Sequence, residues 1–177
     1  MKYNSVMPSQ STLTGAAGEY FVLCQLLRRG WIAALAPKGV PNADIIVTDV
    51  EGNRQCAIQV KTRRDIGSDK GWHMKKKHEE IISQTLFYCF VDMGKGESDN
   101  PVTFIIPSAV VASILKDSHQ LWLDTPGKDG NRHNDTDMRR LLPDYARRRQ
   151  LQPTLLQKFG PGWMEKYREN WNILRLQ

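Results

Sequence analysis

Two apolar segments separated by a four-residue turn place the strongest constraint on how this chain folds. Residues 44–50 read Asp-Ile-Ile-Val-Thr-Asp-Val, and residues 55–62 read Gln-Cys-Ala-Ile-Gln-Val-Lys-Thr. The turn between them, residues 51–54, reads Glu-Gly-Asn-Arg and is of the kind that joins antiparallel strands. The pattern therefore predicts a β-hairpin.

The segments around the hairpin predict further helices and strands. Apolar side chains recur at positions 16, 20, 23 and 27, which is the spacing of a half-buried helix, and the polar residues 11–14 would cap it. Strands are expected at 31–36, 86–92 and 102–106, and helices at 78–84 and from Pro107 to about Lys116. The order of helix, three strands, helix, two strands and helix predicts an α/β protein.

A long polar stretch, residues 124–137, marks the end of this α/β core, because loops of that length rarely cross the middle of a compact domain. The rest of the chain is helical in character, with helices expected over 137–149, 154–159 and 162–174. In the last of these the large apolar residues fall at helical spacing, which favours core packing over base stacking. We divide the chain into an α/β core (12–122), a polar loop (123–136) and a helical C-terminal extension (137–177).

Composition limits the classes of protein to which the chain can belong. It has 177 residues, with 25 Lys and Arg against 19 Asp and Glu, so its net charge is +6. No apolar run approaches the ~20 residues that cross a bilayer, and the first residues lack the apolar stretch of a secretory signal, so we expect a cytoplasmic protein. Cys24, Cys56 and Cys89 lie far apart among apolar neighbours, which predicts buried thiols and no metal site built from cysteines.

The hairpin carries the first candidate chemical groups. Side chains alternate across a strand, so Gln59 and Lys61 project from one face of the second hairpin strand. If Asp44 on the paired strand lies level with them, a carboxylate, an amide oxygen and an ammonium meet at one end of the sheet. These groups suit a hard cation such as Mg²⁺ or Mn²⁺. Glu19, an acid on an otherwise apolar helix, is the candidate second carboxylate; the alternative is an exposed Glu19 paired with a nearby base.

These residues together resemble a known family. Pro41-Asn42-Ala43-Asp44 is followed after fourteen residues by Gln59-Val60-Lys61, and a helix with Gly18-Glu19-Tyr20 precedes them. This arrangement resembles the PD-(D/E)XK nuclease superfamily over about residues 14–118, and within it the Mrr-type and Holliday-junction-resolvase-like branches with Gln in the middle position. The resemblance implies a restriction-endonuclease-like α/β/α sandwich with a central mixed sheet.

The resemblance also implies roles for four residues. Asp44 matches the metal-binding aspartate, Glu19 the helix glutamate that helps to hold the metal, and Lys61 the lysine that orients water and stabilises the transition state. Gln59 stands at the second acidic position, where it removes one negative charge and weakens the hold on a divalent ion. A second departure is that the proline lies three positions before Asp44. The implied activity is Mg²⁺- or Mn²⁺-dependent hydrolysis of phosphodiester bonds, with DNA as the expected substrate.

The segment after Lys61 is the expected nucleic-acid contact, and its residues 63–77 are predicted to be irregular. Between positions 61 and 77 it has seven basic residues against two acidic ones, an excess of +5 out of the +6 of the whole chain. Such charge would neutralise phosphates, and Trp72 and His73 within it could stack on a base. The alternative is a solvated loop whose Trp72 packs into the core. The candidate contacts are Lys61, Arg63, Arg64, Lys70, Trp72, His73, Lys75, Lys76 and Lys77.

Two rival functions stay open on the sequence. The first is a nuclease-like scaffold that binds nucleic acid or a protein partner but has lost catalysis through Gln59. The second is an enzyme that acts on another phosphate compound. If the chain does cut both strands of DNA, a symmetric homodimer is favoured.

Overall fold

A computed structural model describes residues 8–66, 71–145 and 153–175 of the chain. The helices are α1 (Gln10–Leu27), α2 (Ser108–Asp124) and α3 (Pro153–Phe159), with 3₁₀ turns at Lys76–Glu79, Glu165–Tyr167 and Trp171–Leu174. The strands are β1 (Ile32–Leu35), β2 (Ile45–Thr48), β3 (Gln55–Arg63), β4 (Trp72–Lys75), β5 (Leu86–Asp92), β6 (Val102–Pro107) and β7 (Met138–Leu141). Within these ranges no helix is long and apolar enough to cross a membrane.

The main sheet is mixed, with the strand order β1-β2-β3-β5-β6. The predicted hairpin is confirmed, since β2 and β3 pair antiparallel with Ile45 opposite Ile58. Only the central pair, β3 and β5, is parallel, and its crossover contains β4 and the 76–79 turn. The α/β fold class predicted from the order of elements is therefore correct.

Each face of the sheet is covered by a helix, and β5 contributes to both cores. On one face Cys89 packs with Val22 and Leu26 of α1. On the other face Phe90 packs with Val111 of α2. Because successive side chains of a strand point to opposite faces, one fully buried strand forms the centre of two hydrophobic clusters.

α1 is longer than its apolar pattern predicts. It begins at Gln10 instead of residue 16, and Ser9 caps it by accepting a hydrogen bond from the Thr12 amide at 3.2 Å. α2 begins directly after Pro107, as expected, but continues to Asp124. The helix expected over 78–84 is wrong, because only the single 3₁₀ turn Lys76–Glu79 forms there.

A second, two-stranded sheet was not predicted. β4 pairs antiparallel with β7, with Trp72 opposite Leu141. The prediction of an irregular segment at 63–77 is therefore wrong for 72–75, and the prediction of a helix over 137–149 is wrong for 138–141. The physical reason is that two four-residue strands gain their hydrogen bonds only from each other, across more than sixty residues of chain. Residues 142–145 are not helical either, and residues 146–149 of that predicted helix lie outside the described residues.

The C-terminal residues complete both cores. Trp163 and Tyr167 are buried on the α2 side of the sheet, and Trp171 and Leu174 on the α1 side. The core packing predicted for these residues is confirmed, but the continuous helix over 162–174 is wrong, because two 3₁₀ turns replace it. The segment that was predicted to be an extension is thus packed against the α/β core.

Candidate functional site

Asp44 and Gln59 meet where the hairpin opens. Asp44 directly precedes β2, and its amide donates a hydrogen bond to the Ile58 carbonyl at 2.9 Å, which continues the β2–β3 ladder by one residue. Its Oδ2 accepts hydrogen bonds from the Gln59 Nε2 and, at 2.7 Å, from the Val60 amide. These bonds fix the carboxylate before any ligand binds, and the Gln59 side chain is buried beside it.

Lys61 lies two residues beyond Gln59, on the same face of β3. Its side chain is partly buried, and burial lowers the pKa of the amine from its ordinary value. The negative charges of Asp44 and Glu19 raise that pKa, while the positive charge of Lys77 lowers it. Lys61 is therefore within electrostatic reach of both predicted carboxylates.

α1 brings Glu19 to the same place because Gly18 allows a close approach between α1 and β3. A Cβ atom at position 18 would lie 1.8 Å from the Thr62 Oγ1, so only glycine fits there. Glu19 is partly buried, and burial raises the pKa of its carboxyl. The charge of Asp44 raises it further and Lys61 lowers it, as expected for two carboxylates and an amine in one site.

A buried histidine and tyrosine beside this group were missed by the sequence analysis. Tyr88 on β5 stands in register with Gln59 on β3, and its hydroxyl lies 2.8 Å from the His78 Nδ1. Burial, with the charges of Lys61 and Lys77, lowers the pKa of His78 to about 4. A single histidine among lysines and glutamates gave no signal of burial, but the uninterrupted apolar run of β5 did indicate a buried tyrosine.

Lys77 connects the 76–79 turn to the residues that lead into β2. Its Nζ donates a hydrogen bond to the Asn42 Oδ1 at 3.0 Å. Asn42 lies two residues before Asp44 and has a φ of 64°, a left-handed conformation that asparagine tolerates better than most residues. This hydrogen bond holds Lys77, one of the predicted nucleic-acid contacts, next to the carboxylate site.

Two of the predicted nucleic-acid contacts belong to the core instead. Trp72 is only 1% exposed, and its Nε1 donates to the Val91 carbonyl at 3.1 Å. The prediction that Trp72 stacks on a base is therefore wrong, and the alternative of core packing is correct. Arg63 lies over the Trp72 ring at 4.2 Å and forms an ion pair with Asp92 at 2.5 Å, so its guanidinium is engaged inside the protein.

The remaining basic residues divide by their partners. Lys76 pairs with Asp135 at 2.8 Å, and Arg64 donates to the Lys95 carbonyl at 2.8 Å. Lys75 lies 3.9 Å from the Asp137 carboxylate, and both Lys75 and Lys77 are exposed and act electrostatically on Lys61. His73 is exposed on the outer side of β4, and Lys70 lies outside the described residues. Lys75 and Lys77 are thus exposed cations close to the site.

Comparison with solved structures identifies the fold. The bacterial homing endonuclease I-Ssp6803I matches 97% of this chain and 94% of its own, with a TM-score of 0.52 at 18% identity. This chain has the restriction-endonuclease-like fold of the PD-(D/E)XK nucleases. Hjc, a Holliday junction resolvase from the archaeal hyperthermophile Archaeoglobus fulgidus, matches 72% of the chain and 82% of its own, with a TM-score of 0.40 at 14% identity. Neither protein-family profiles nor curated proteins gave a match.

The PD-(D/E)XK fold predicted from the sequence is thus confirmed, and the four motif residues lie together in it.

The metal ligands that these four residues can supply carry little negative charge. Over residues 8–66, 71–145 and 153–175, no group of three or more His, Cys, Asp or Glu side chains could hold an ion. What the site offers is two carboxylates, from Glu19 and Asp44, and the amide of Gln59. All three carry oxygen atoms, the ligand type that Mg²⁺ and Mn²⁺ prefer.

Proposed function

We propose that the protein is a metal-dependent nuclease that hydrolyses phosphodiester bonds, with DNA as its substrate. The observation that carries the proposal is the convergence of Glu19, Asp44, Gln59 and Lys61, from one helix and two strands, on one site of a PD-(D/E)XK fold. The similarity to a homing endonuclease over nearly the whole chain supports the same reading.

The carboxylates suit a divalent ion for an electrostatic reason. The negative charge of Asp44 raises the pKa of Glu19, so the two groups repel each other when both are ionised. A divalent cation between them would remove that repulsion. Asp44 and Glu19 would hold the ion and Gln59 would contribute its amide oxygen, with water and phosphate oxygens completing an octahedral shell. A bound Mg²⁺ or Mn²⁺ polarises the phosphoryl group and lowers the pKa of a coordinated water.

Lys61 supplies the positive charge at the reacting phosphate. In hydrolysis a water oxygen forms a bond to phosphorus, the bond to the leaving sugar oxygen breaks, and that oxygen takes up a proton. Negative charge builds on the phosphoryl oxygens during the step, and a fixed, partly buried ammonium stabilises it more than one in water. The amine of Lys61 also hydrogen-bonds and orients the attacking water in this proposal.

The exposed cations near the site account for binding of the polyanionic substrate. Lys75 and Lys77 are exposed, and both act electrostatically on Lys61. Phosphates on either side of the scissile bond would meet these two amines. Contacts of this kind are independent of sequence and weaken as salt is added.

Cleavage of supercoiled plasmid by purified variants tests the proposal. Lys61→Ala and Asp44→Asn are expected to lower the Mg²⁺-dependent rate by about 10²–10⁴-fold, because each removes a group that acts on the transition state. DNA affinity should change little. Lys116→Ala, an exposed lysine on α2, is the matched control and should cut at the wild-type rate. Wild-type rates for Lys61→Ala would exclude Lys61 from the chemistry.

One observation favours a second candidate, a nucleic-acid-binding domain without catalysis. Gln59 stands where the family places a carboxylate, and its amide group already donates to Asp44. Calorimetric titration with Mn²⁺ separates the two candidates. Binding that is lost in Asp44→Ala supports the nuclease. Absence of binding at millimolar Mn²⁺, with DNA present, supports the inactive domain.

A further inference from the structure

The outer side of α1 carries an exposed apolar stripe. Leu13, Tyr20 and Leu27 are 56%, 62% and 51% exposed, and Ala17 and Cys24 between them are exposed as well. These five residues, which we call the α1 stripe, follow one another at spacings of four, three, four and three. The mean spacing of 3.5 residues is that of the contact seam between two supercoiled helices.

The stripe is unusual because α1 is already buried on its other side. Val22 and Leu26 pack against the sheet, so the opposite side faces water, where charged residues are normal. Between Thr12 and Arg28, however, the only charged residue is Glu19, which belongs to the carboxylate site. A helix that is apolar on two opposite sides is typical of a helix with a partner on each side.

Size along the stripe alternates in a way that fits a second copy of itself. Large residues at 13, 20 and 27 are separated by small ones at 17 and 24. In an antiparallel pair with its two-fold axis between positions 18 and 19, Leu13 faces Cys24 of the second copy and Ala17 faces its Tyr20. Both of these layers then join a large side chain to a small one, and Leu27 faces Gln10 at the end of the seam. A parallel pair would set Tyr20 against Tyr20 and Ala17 against Ala17, and would align the two helix dipoles unfavourably.

We propose that the α1 stripe is a dimerisation surface, occupied by the α1 stripe of a second copy in antiparallel orientation. Positions 13 to 27 extend about 21 Å along the helix. Side chains of this size would bury roughly 1,000 Å² in total from both copies, which is the size of a weak, transient interface. A second copy is favoured because its own stripe supplies the small residues that face Leu13 and Tyr20 and the large ones that face Ala17 and Cys24. Association should be weak, in the micromolar range.

The dimer has a consequence for catalysis that rests on the proposed nuclease function. Along the helix, Glu19 lies at the height of the two-fold axis, since the axis passes between positions 18 and 19. Two carboxylate sites would therefore lie on either side of one helix pair, an arrangement suited to cutting both strands of a duplex. The association itself does not depend on that function, so it is tested without any cleavage assay.

Sedimentation equilibrium tests the association. Between about 1 and 200 µM, the wild-type protein should pass from monomer towards dimer. Leu13→Glu and Ala17→Glu each place a charge in the seam and should leave a monomer throughout. Ile82→Glu is the matched control, because Ile82 is 66% exposed and lies after the 76–79 turn; it should associate like wild type. A wild-type protein that stays monomeric, or a Leu13→Glu variant that still dimerises, would overturn the proposal.

Cysteine cross-linking tests the orientation. In the antiparallel register, Leu13→Cys faces Cys24 of the second copy, so mild oxidation should give a dimer on a non-reducing gel. Cys56 and Cys89 are buried, which leaves Cys24 as the exposed native thiol among the described residues. Adding Cys24→Ser to Leu13→Cys should abolish the cross-link, and Ile82→Cys should not form one. A wild-type protein that cross-links through Cys24 as readily as Leu13→Cys would show a parallel pair instead.

Discussion

His78 is a neutral histidine buried next to three lysines. Its ring is 3% exposed, lies edge-on to Tyr88 and shares a hydrogen bond with the Tyr88 hydroxyl. Burial is the main cause of its low pKa, and the charges of Lys61, Lys77 and Lys75 lower that pKa further, against an opposite effect of Asp137. A protonated ring at this position would be desolvated and repelled. The folded protein therefore favours neutral His78.

This preference predicts that the protein loses stability in weak acid. The pKa of His78 is about 4 in the folded chain against 6.5 in the unfolded chain, so the unfolded state takes up its proton first as pH falls. The free energy of unfolding should drop by about 2–3 kcal/mol between pH 7 and pH 4.5 from this group alone. Urea unfolding at the two pH values measures the drop.

The matched variant for that measurement is His78→Gln, which cannot take up a proton and should lose less stability over the same interval. The exposed His73→Gln should keep the full loss of the wild-type protein. An equal loss in His78→Gln and wild type would contradict the assignment to His78.

The position of a side chain could be predicted from the sequence where it depends on neighbouring residues, and not where it depends on distant ones. Gln59 and Lys61 share a face because of strand alternation, which is visible in seven letters of sequence. Trp72 and Arg63 were misjudged because their burial depends on β5 and on β7, which are distant in the chain. Cys24 was expected to be buried and is exposed, since the pattern of α1 does not tell which of its two apolar sides faces the sheet.

At the scale of elements, the contact between α1 and β3 controls the geometry of the site. The backbone of α1 at Gly18 lies against the Thr62 side chain, whose Oγ1 is buried without a hydrogen-bond partner in the described part of the chain. An unsatisfied buried hydroxyl is costly, so this close approach lowers the stability of the fold. The approach is what brings Glu19 near Asp44.

Gly18→Ala is therefore expected to weaken both the fold and the site. The added methyl group would collide with the Thr62 Oγ1 and push α1 outwards, at a cost of about 1–3 kcal/mol. Cleavage should fall by more than stability alone explains, because Glu19 moves with the helix. Gly15→Ala in the same helix meets nothing within 4 Å and should stabilise the fold by up to ~1 kcal/mol. Thermal unfolding and plasmid cleavage of the pair measure both effects.

The result that would contradict this role of Gly18 is a Gly18→Ala protein as stable and as active as Gly15→Ala.

Among the elements, the hairpin, β5 and β6 could be predicted because their strands are apolar runs next to turn residues. β4 and β7 could not, because neither four-residue strand is stable without the other. The turns after Gly162 were mistaken for a helix because their aromatic residues repeat at helical spacing. The backbone leaves helical geometry between them, at Arg168, which is extended, and at Glu169, which has a φ of 49°.

At the scale of the whole molecule, the C-terminal segment joins the two cores. Glu169 accepts hydrogen bonds from the Thr103 amide at 2.7 Å and from the Trp171 Nε1 at 3.1 Å, which holds the segment to β6. From there the chain passes from the α2 side of the sheet to the α1 side. Division of the sequence into core and extension failed to anticipate this, because a linear pattern of polar and apolar residues does not show which distant surface a segment covers.

A chain that ends at residue 145 is accordingly expected not to fold. It would lack seven buried apolar residues of the two cores: Leu155, Phe159, Trp163, Met164, Tyr167, Trp171 and Leu174. Near-UV circular dichroism and thermal unfolding measure the loss. In the full chain, Trp163→Ala should cost about 3–5 kcal/mol. Trp122→Ala, at a partly exposed ring stacked on His133, should cost less. A cooperative transition in the shortened chain would show that residues 8–145 form an independent domain.

Buried and exposed side chains alternate along the four residues of β4. Trp72 and Met74 are buried, whereas His73 and Lys75 are exposed, and the charge of Lys75 acts on Lys61 of the candidate site. In the nuclease proposed above, substitutions of the exposed pair would alter contacts with the substrate, while the buried pair holds β4 in the core. Libraries that aim to alter target preference should therefore randomise positions 73 and 75 and leave 72 and 74 untouched.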